Sequence, residues 1–241
     1  AAERGHSVTL YEKKGSVGGL LEFANNVKGP HENLSVLRSY FERQMEVLGV
    51  NVMLNTEATA DIIAEASPDI VIAATGGVRD TLGLSDTAGT KVVGIDDFMM
   101  ADIAEEVVIV GSNVQAIDAA MHLLAQGKHV QVVTPNAASA IGAGHSFWVK
   151  TFTQPNMKAL GVRFWPEATV TAVNDGSVTV KTATGIEQEI ACGTVVEALD
   201  CLPNDNLSTG LSCEVVTVGD AARPFNIGEA ICSGNAAARA I

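Results

Sequence analysis

Three clusters in this sequence have the residue types that can hold a nucleotide. The first is Glu12, at the end of "SVTLY" (7–11), with Gly18-Gly19-Leu20 close behind it in "GSVGGL". A carboxylate at a strand end can accept hydrogen bonds from the hydroxyls of a ribose, and glycines let the backbone approach a flat ligand closely. The second is Gly219-Asp220, after "EVVTV" and ahead of a helix expected from about Ile227. An acid there can bond sugar hydroxyls, and the helix start would aim free N–H groups at an electron-rich ring or a phosphate. The third is the turn Gly111-Ser112-Asn113-Val114-Gln115-Ala116. It parallels the pattern G-x-G-x-x-G/A, with Gly111 for the tight turn and Ala116 for close helix–strand packing. Asn113 stands where the second glycine would let a pyrophosphate reach the backbone. Asn tolerates positive φ, so the turn could survive, but its side chain takes space the phosphate would use.

Each cluster also has a plain explanation. Glu12 could be a surface charge at a strand end, and Asp220 an N-cap or Asx turn. Thr75-Gly76-Gly77, after the buried run "DIVIAA" (69–74), could be no more than a strand-end turn. The Gly111 turn could be a retained scaffold with little cofactor affinity. The strand after it ends at Thr134, where an acid would hold a 2′-hydroxyl, and no arginine suited to a 2′-phosphate accompanies it. Of five histidines, His6, His31, His122, His129 and His145, only His145 in "GAGHSF" falls in a loop that could line a cleft. No Ser-His-Asp or metal-ligand spacing emerges. The four cysteines, Cys192, Cys201, Cys213 and Cys232, form no C-x-x-C, so a zinc ribbon or a redox dithiol of that type is not supported.

The elements that must position these residues follow from periodicity. Residues 30–49 carry Leu34, Leu37, Phe41, Met45 and Leu48 on one helical face, with Pro30 before and Gly49 after. "VNVML" (50–54) reads as a strand and "ADIIAEA" (60–66) as a short helix closed by Pro68. Residues 78–105 read as a crossover. The clearest unit is strand 107–110, helix 114–126 and strand 129–133, whose short connections make the two strands parallel. Residues 137–156 read as loop plus helix. "ATVTAV", "SVTVKTA" and "EQEIAC" alternate with period two, and Asn174-Asp175-Gly176 marks a hairpin, so an antiparallel meander is expected here. "TVVEAL" (194–199) and 214–218 are further strands.

The 241 residues, 47% hydrophobic and only 5% aromatic, suit a close-packed α/β protein. A formal net charge of −13 argues against a nucleic-acid-binding surface or an anionic membrane face. No apolar run has the ~18 residues of a membrane span, and no signal sequence opens the chain. A cytoplasmic setting with reduced cysteines is the expectation. The expected fold is α/β: two dinucleotide-binding (Rossmann-like) lobes with parallel sheets, the second inserted into the first, plus the meander. Segments 1–100 and 205–241 would form the first lobe and 101–204 the second.

In this order, "GHSVTLYEKKGSVGGLL", "PDIVIAATGG", "VVIVGSNVQAIDAAMHLLAQGKHVQVV", "TVVEALDCLPN" and "VVTVGDAARPFNIGEAICSG" resemble the flavoproteins with two dinucleotide-binding domains. The resemblance runs over almost the whole chain. It is greatest to the C-terminal half of the large flavin oxidoreductases typified by 2,4-dienoyl-CoA reductase and trimethylamine dehydrogenase. It implies FAD, or ADP, in the first lobe and, in some members, NAD(P)H in the second. By resemblance Glu12 with neighbouring Lys13 would hold the adenosine ribose, and Gly18, Gly19 and Leu20 would line the FAD. Thr75 and Gly76 would pass near its phosphates, and Gly219-Asp220 would hold the ribityl or phosphate region. The Ile227 amide would face the flavin pyrimidine edge. Gly111, Asn113 and Ala116 would serve NAD(P)H. The partner implied is an N-terminal barrel carrying FMN and a 4Fe-4S cluster, with self-association left open. Hydride would pass from nicotinamide to FAD, and electrons through the cluster to FMN. Three departures, Asn113, Thr134 and Asp200, fall on the second lobe, Asp200 standing where the family has glycine. The first strand and glycine loop expected of the first lobe do not occur before Glu12, which makes this chain an expected C-terminal portion with little flavin of its own. The alternative is a non-catalytic ADP-binding or scaffold module with a vestigial nicotinamide site.

Overall fold

The computed structural model describes residues 1–29, 32–204, 206–208 and 211–241. The expected helix boundary at Pro30, and His31, lie outside the described residues. The chain folds as two compact units, one of Ala1–Val78 with Cys201–Ile241 and one of Arg79–Asp200.

The Arg79–Asp200 unit is built on a five-stranded, wholly parallel sheet. Its strands are β5 (Lys91–Gly94), β6 (Glu106–Val110), β7 (His129–Val133), β8 (Arg163–Trp165) and β12 (Thr194–Glu197), in the spatial order β5-β12-β6-β7-β8. β6 explains the arrangement. Val107, Val108, Ile109 and Val110 are each at most 2% exposed, so both faces of the strand are covered. Such a strand reads as a continuous apolar run rather than an alternating one. Helix α4 (Val114–Ala125) returns the chain from β6 to β7 and buries Ala116, Ile117, Ala119, Ala120 and Leu123. Its alanines permit a close helix–sheet approach. Helix α5 (Phe147–Ala159) makes the next crossover, from β7 to β8.

The meander covers the other face. Strands β9 (Ala168–Asn174), β10 (Ser177–Thr182) and β11 (Glu187–Ala191) are antiparallel, and Asp175-Gly176 form the two-residue loop between Asn174 and Ser177. Gly176 has φ 75°, the positive value such a loop needs. Val108, Val110, Val133 and Val195 of the parallel sheet pack with Val170, Val178, Val180 and Ile190 of the meander in one core. The buried Thr90 hydroxyl pins the hairpin to this core: its one hydrogen is shared between Asn174 O at 2.9 Å and Cys192 O at 2.8 Å, and its oxygen accepts from the Gly176 N–H at 3.1 Å.

The other unit holds two separate parallel pairs. β1 (Thr9–Tyr11) pairs with β2 (Asn51–Met53), and β3 (Ile70–Ala73) with β14 (Glu214–Thr217). Around them lie α1 (Leu20–Lys28), α2 (Leu34–Val47), α3 (Ala60–Ala66) and α6 (Ile227–Ala240). Its fully buried apolar residues among those described are few: Val27, Ile63, Ala73, Val218, Ala221 and Ala237. β4 (Val78–Arg79) and β13 (Cys201–Leu202) form a short two-stranded ladder.

The structure departs from the sequence reading in three places. Residues 20–28 are a helix; the sequence reading has "GSVGG" as a loop and assigns no element to the residues behind it. With Asn25 and Asn26 in a nine-residue element, its intrinsic propensity is poor. Tertiary bonding compensates, since the Ser35 N–H donates to Asn25 Oδ1 at 3.1 Å. "VRFW", grouped in sequence with the meander, instead extends the parallel sheet through Val133↔Trp165. Its exterior residue Arg163 stacks 3.9 Å over the Trp165 ring. β5, within the segment 1–100 given by sequence to the first lobe, pairs with β12, a partner about a hundred residues away that no local pattern reveals.

Two outcomes follow. Ile109→Ala empties a fully buried position in β6 and should cost about 2–5 kcal/mol in urea unfolding; a loss under about 1 kcal/mol would show that the sheet collapses onto the gap. Burial pushes the Cys192 thiol up to about 11, with its Sγ donating to Thr194 O at 3.0 Å. Keeping it neutral contributes stability that is complete below the unfolded value of 9.0 and is lost as pH rises through about 11. A disulfide reagent at pH near 8 should therefore label exposed Cys232 in the native chain and reach Cys192 only on unfolding; native labelling of Cys192 would contradict this.

Candidate functional site

In the first unit, Glu12 is held just past β1. Its N–H donates to Met53 O at 2.9 Å, and its carbonyl accepts from the Thr56 N–H at 2.9 Å. The side chain folds back so that Oε1 accepts from the Lys14 N–H at 2.8 Å. The carboxylate is therefore fixed at the C-terminal end of the strand, while Lys13 is exposed. Gly18 has φ 116°, and a Cβ there would lie 3.2 Å from Arg38 Cδ, so the position needs glycine for both backbone and space. Gly19, at φ 52°, precedes Leu20, the first residue of α1.

A second group gathers at the ends of β3 and β14, which are paired through Ala73↔Thr217. Thr75 Oγ1 donates to Asn204 O at 3.1 Å, and the Asn204 N–H donates to Ala221 O at 3.0 Å. Gly76 has φ 72°. Gly219, at φ 61°, donates its N–H to Ser233 Oγ at 3.0 Å. Gly219–Ala221 form a 3-10 turn, and Asp220 Oδ1 accepts from the Phe225 N–H at 3.2 Å. The cap of α6 is Asn226, whose Oδ1 accepts from the Glu229 N–H at 2.9 Å. Asp220 is thus not the cap of α6. Ile227 and Gly228 stand in the first turn of that helix, where backbone N–H groups have no intrahelical acceptor. The structure joins Thr75-Gly76 to Gly219-Asp220 through Asn204. Glu12 and Gly18–Leu20 form a separate group on the β1–α1 side.

Sequence reasoning missed Asn204. Its Oδ1 is buried with no hydrogen-bond partner among the described residues, a costly state for a polar atom unless something completes it. An asparagine after a proline carries no sequence signal of this kind. Around β3 and β14 the orphaned acceptor of Asn204, the Asp220 carboxylate and the helix-start N–H groups of α6 make a set of donors and acceptors of the kind a nucleotide can use.

The second unit's turn is different. Gly111 has φ 136°, and any Cβ on it would run into the Ala198 carbonyl. Asn113 makes no use of the positive φ that asparagine tolerates; it is extended, with φ −72° and ψ −178°, and caps α4. Its Oδ1 accepts from the Ala116 N–H at 3.0 Å. Its Nδ2 donates toward Ala198 O and Leu199 O, both at 3.1 Å, and toward Asp200 Oδ1 at 3.2 Å. Two hydrogens thus serve three acceptors beyond the end of β12. The ribose end of the turn is also engaged. Thr134 is fully buried, and its Oγ1 donates to Ser112 Oγ at 3.1 Å, which also accepts from Asn136 Nδ2 at 3.1 Å.

The loop after β7 packs over the same helix start. The Gly142 N–H donates to Ser112 O at 2.6 Å, and His145 Nε2 meets Asp118 Oδ1 at 3.3 Å with the His145 side chain only 8% exposed. His145 therefore does not line an open cleft. Arg79, on the opposite flank, grips Asp96 with two nitrogens at 2.8 and 3.0 Å and also donates to Gln115 Oε1. These residues do not fit a dinucleotide pyrophosphate at the Gly111 turn. Among the described residues no group of three or more His, Cys, Asp or Glu could hold a metal ion, and no helix is long and apolar enough to cross a membrane.

Comparison with known proteins gives a consistent picture. Residues 69–198 match the family model described as pyridine nucleotide-disulphide oxidoreductase. A NADH oxidase of Thermoanaerobacter brockii is 34% identical over 139 residues, which are 55% of this chain and 21% of that protein. A 2-naphthoyl-CoA reductase in complex with 2-naphthoyl-CoA superposes with a TM-score of 0.84 at 30% identity, covering 97% of this chain and 36% of that one. Histamine dehydrogenase from Rhizobium sp. 4-9 shares the fold, with a TM-score of 0.81 at 22% identity over 100% of this chain and 41% of that one. The chain thus spans about a fifth of the length of the first curated relatives it matches.

Asn113→Ala removes a helix cap and its bonds to the strand end together, so it should cost about 2 kcal/mol in urea unfolding; a change under about 0.5 kcal/mol would mean that water replaces those bonds without loss.

Proposed function

Because the chain belongs to the pyridine nucleotide-disulphide oxidoreductase family, we propose that it is the flavin-nucleotide module of a larger oxidoreductase. FAD, or its ADP portion, is held by the unit of Ala1–Val78 and Cys201–Ile241. The observation that carries this reading is the meeting of Thr75-Gly76, the orphaned Asn204 Oδ1 and Gly219-Asp220 ahead of the α6 start.

Each residue has a task in that reading. Glu12 bonds the adenosine ribose, with Lys13 beside it at the rim. Gly18, Gly19 and Leu20 supply a side-chain-free approach to the nucleotide. Thr75 and Gly76 pass near its phosphates, Asp220 orients the ribityl chain, and the Ile227 N–H donates to the pyrimidine edge of the ring, where the helix dipole favours negative charge. Bound flavin would supply two-electron acceptance and stepwise release. The partner that would take up those electrons is an FMN- and iron–sulfur-bearing barrel elsewhere in the protein, a reading that the greater length of the relatives supports. The finer form of this reading has NAD(P)H as hydride donor on the second unit. Asn113 and Asp200 give it no support. Four free cysteines agree with a cytoplasmic setting.

A second reading, an ADP-holding or scaffold module without turnover, shares these contacts and is favoured by the engaged Gly111 turn. Mass spectrometry of nucleotide released from the native full-length protein separates the two, FAD supporting the first reading and ADP the second. Glu12→Gln and Asp220→Asn should each raise the nucleotide's dissociation constant about tenfold, which takes a half-occupied site to about 9% occupancy. No nucleotide in the native protein, or full occupancy in both variants, would sink the proposed site.

A further inference from the structure

We infer that the second unit's nucleotide turn is closed by its own residues: Asn113 and Asp200 occupy the pyrophosphate position, so that this unit does not take NAD(P)H. The inference is independent of whether the first unit holds flavin.

A dinucleotide at such a turn needs two things. Its pyrophosphate must reach the backbone N–H groups at the helix start, and an acceptor at the end of the second strand must meet its ribose. Here the Ala116 N–H is already bonded to Asn113 Oδ1 at 3.0 Å. The other end of the same side chain is tied to Ala198 O, Leu199 O and Asp200 Oδ1. The Asp200 carboxylate therefore lies one hydrogen bond from the helix start, where it opposes a second anion by charge as well as by space. At the ribose end, Thr134 stands in place of an acid and is fully buried, its hydroxyl donating to Ser112. Ser112 is itself only 4% exposed and is bonded by Asn136. Ala143 forms a β-bridge with Asn113, and a Cβ on Gly144 would lie 2.8 Å from Val114 Cγ2, which brings the following loop down over the turn. An ordinary helix cap would explain the Ala116 bond alone. It would not explain the acid approaching from a different strand, or the sealed ribose end.

Titration of the 241-residue chain, free of flavin, with NADH and with NADPH tests this through nucleotide fluorescence. No saturation is expected up to about 1 mM. The variant N113G/D200G restores glycine at both positions and should bind at least about tenfold more tightly. D200G alone keeps the α4 cap and should gain in the same direction by a smaller factor, which decides the matter if the double variant fails to fold. Saturable micromolar binding by the unaltered chain would overturn the inference. So would unchanged affinity in D200G and in a natively folded N113G/D200G.

Discussion

No side chain fits at position 111. The Ala198 carbonyl packs against that glycine so closely that a Cβ would collide with it. The approach is fixed by hydrogen bonds on either side, with the Ala198 N–H donating to Val110 O at 2.8 Å and the Gly111 N–H to Val133 O at 2.9 Å. β12, β6 and β7 are thereby locked in register at the end where the turn lies. The same closeness brings Ala198, Leu199 and Asp200 within reach of Asn113. Glycine at 111 and asparagine at 113 act together, one letting the strand end in and the other fastening it.

The two units differ in how they are held. The Arg79–Asp200 unit has a continuous parallel sheet covered by α4 and, on the other face, by the meander. Burying one valine from such a face contributes about 1.5–3 kcal/mol, and β6 alone presents four fully covered residues. The other unit has two short parallel pairs, and α2 leaves Val36, Tyr40 and Val47 more than half exposed. Its residues of chemical interest, Glu12, Thr75, Asn204 and Asp220, sit on these sparsely covered pairs or in the turns beyond them. A buried polar atom without a partner among the described residues, such as Asn204 Oδ1, is costly until something completes it.

Much of the architecture was legible in the sequence because it rests on local pattern. The β6–α4–β7 unit carries a full apolar run, a helical stripe and short turns, and the meander carries alternation and a turn dipeptide. Helix α1 and strand β8 were not legible. One has two asparagines where helix formers belong and is bonded by Ser35 of the following helix; the other is three residues long and is held by pairing with β7, about thirty residues earlier. At the site, Glu12, Gly18, Gly76, Gly219 and Asp220 stand out by residue type at strand ends. Asn204 does not, since an orphaned oxygen is a property of what surrounds it.

By itself the sequence determined the class of fold, the order of its elements and the turns at which a nucleotide would have to be met, because periodicity and glycine placement are local. Only the tertiary structure decided which partners the side chains at those turns take. Asn113 and Asp200 are 87 residues apart, and whether an asparagine in a glycine's place leaves room for a phosphate depends on where its amide finds acceptors. Those acceptors are brought by β12, through backbone bonds across the sheet that the sequence near Asn113 does not contain.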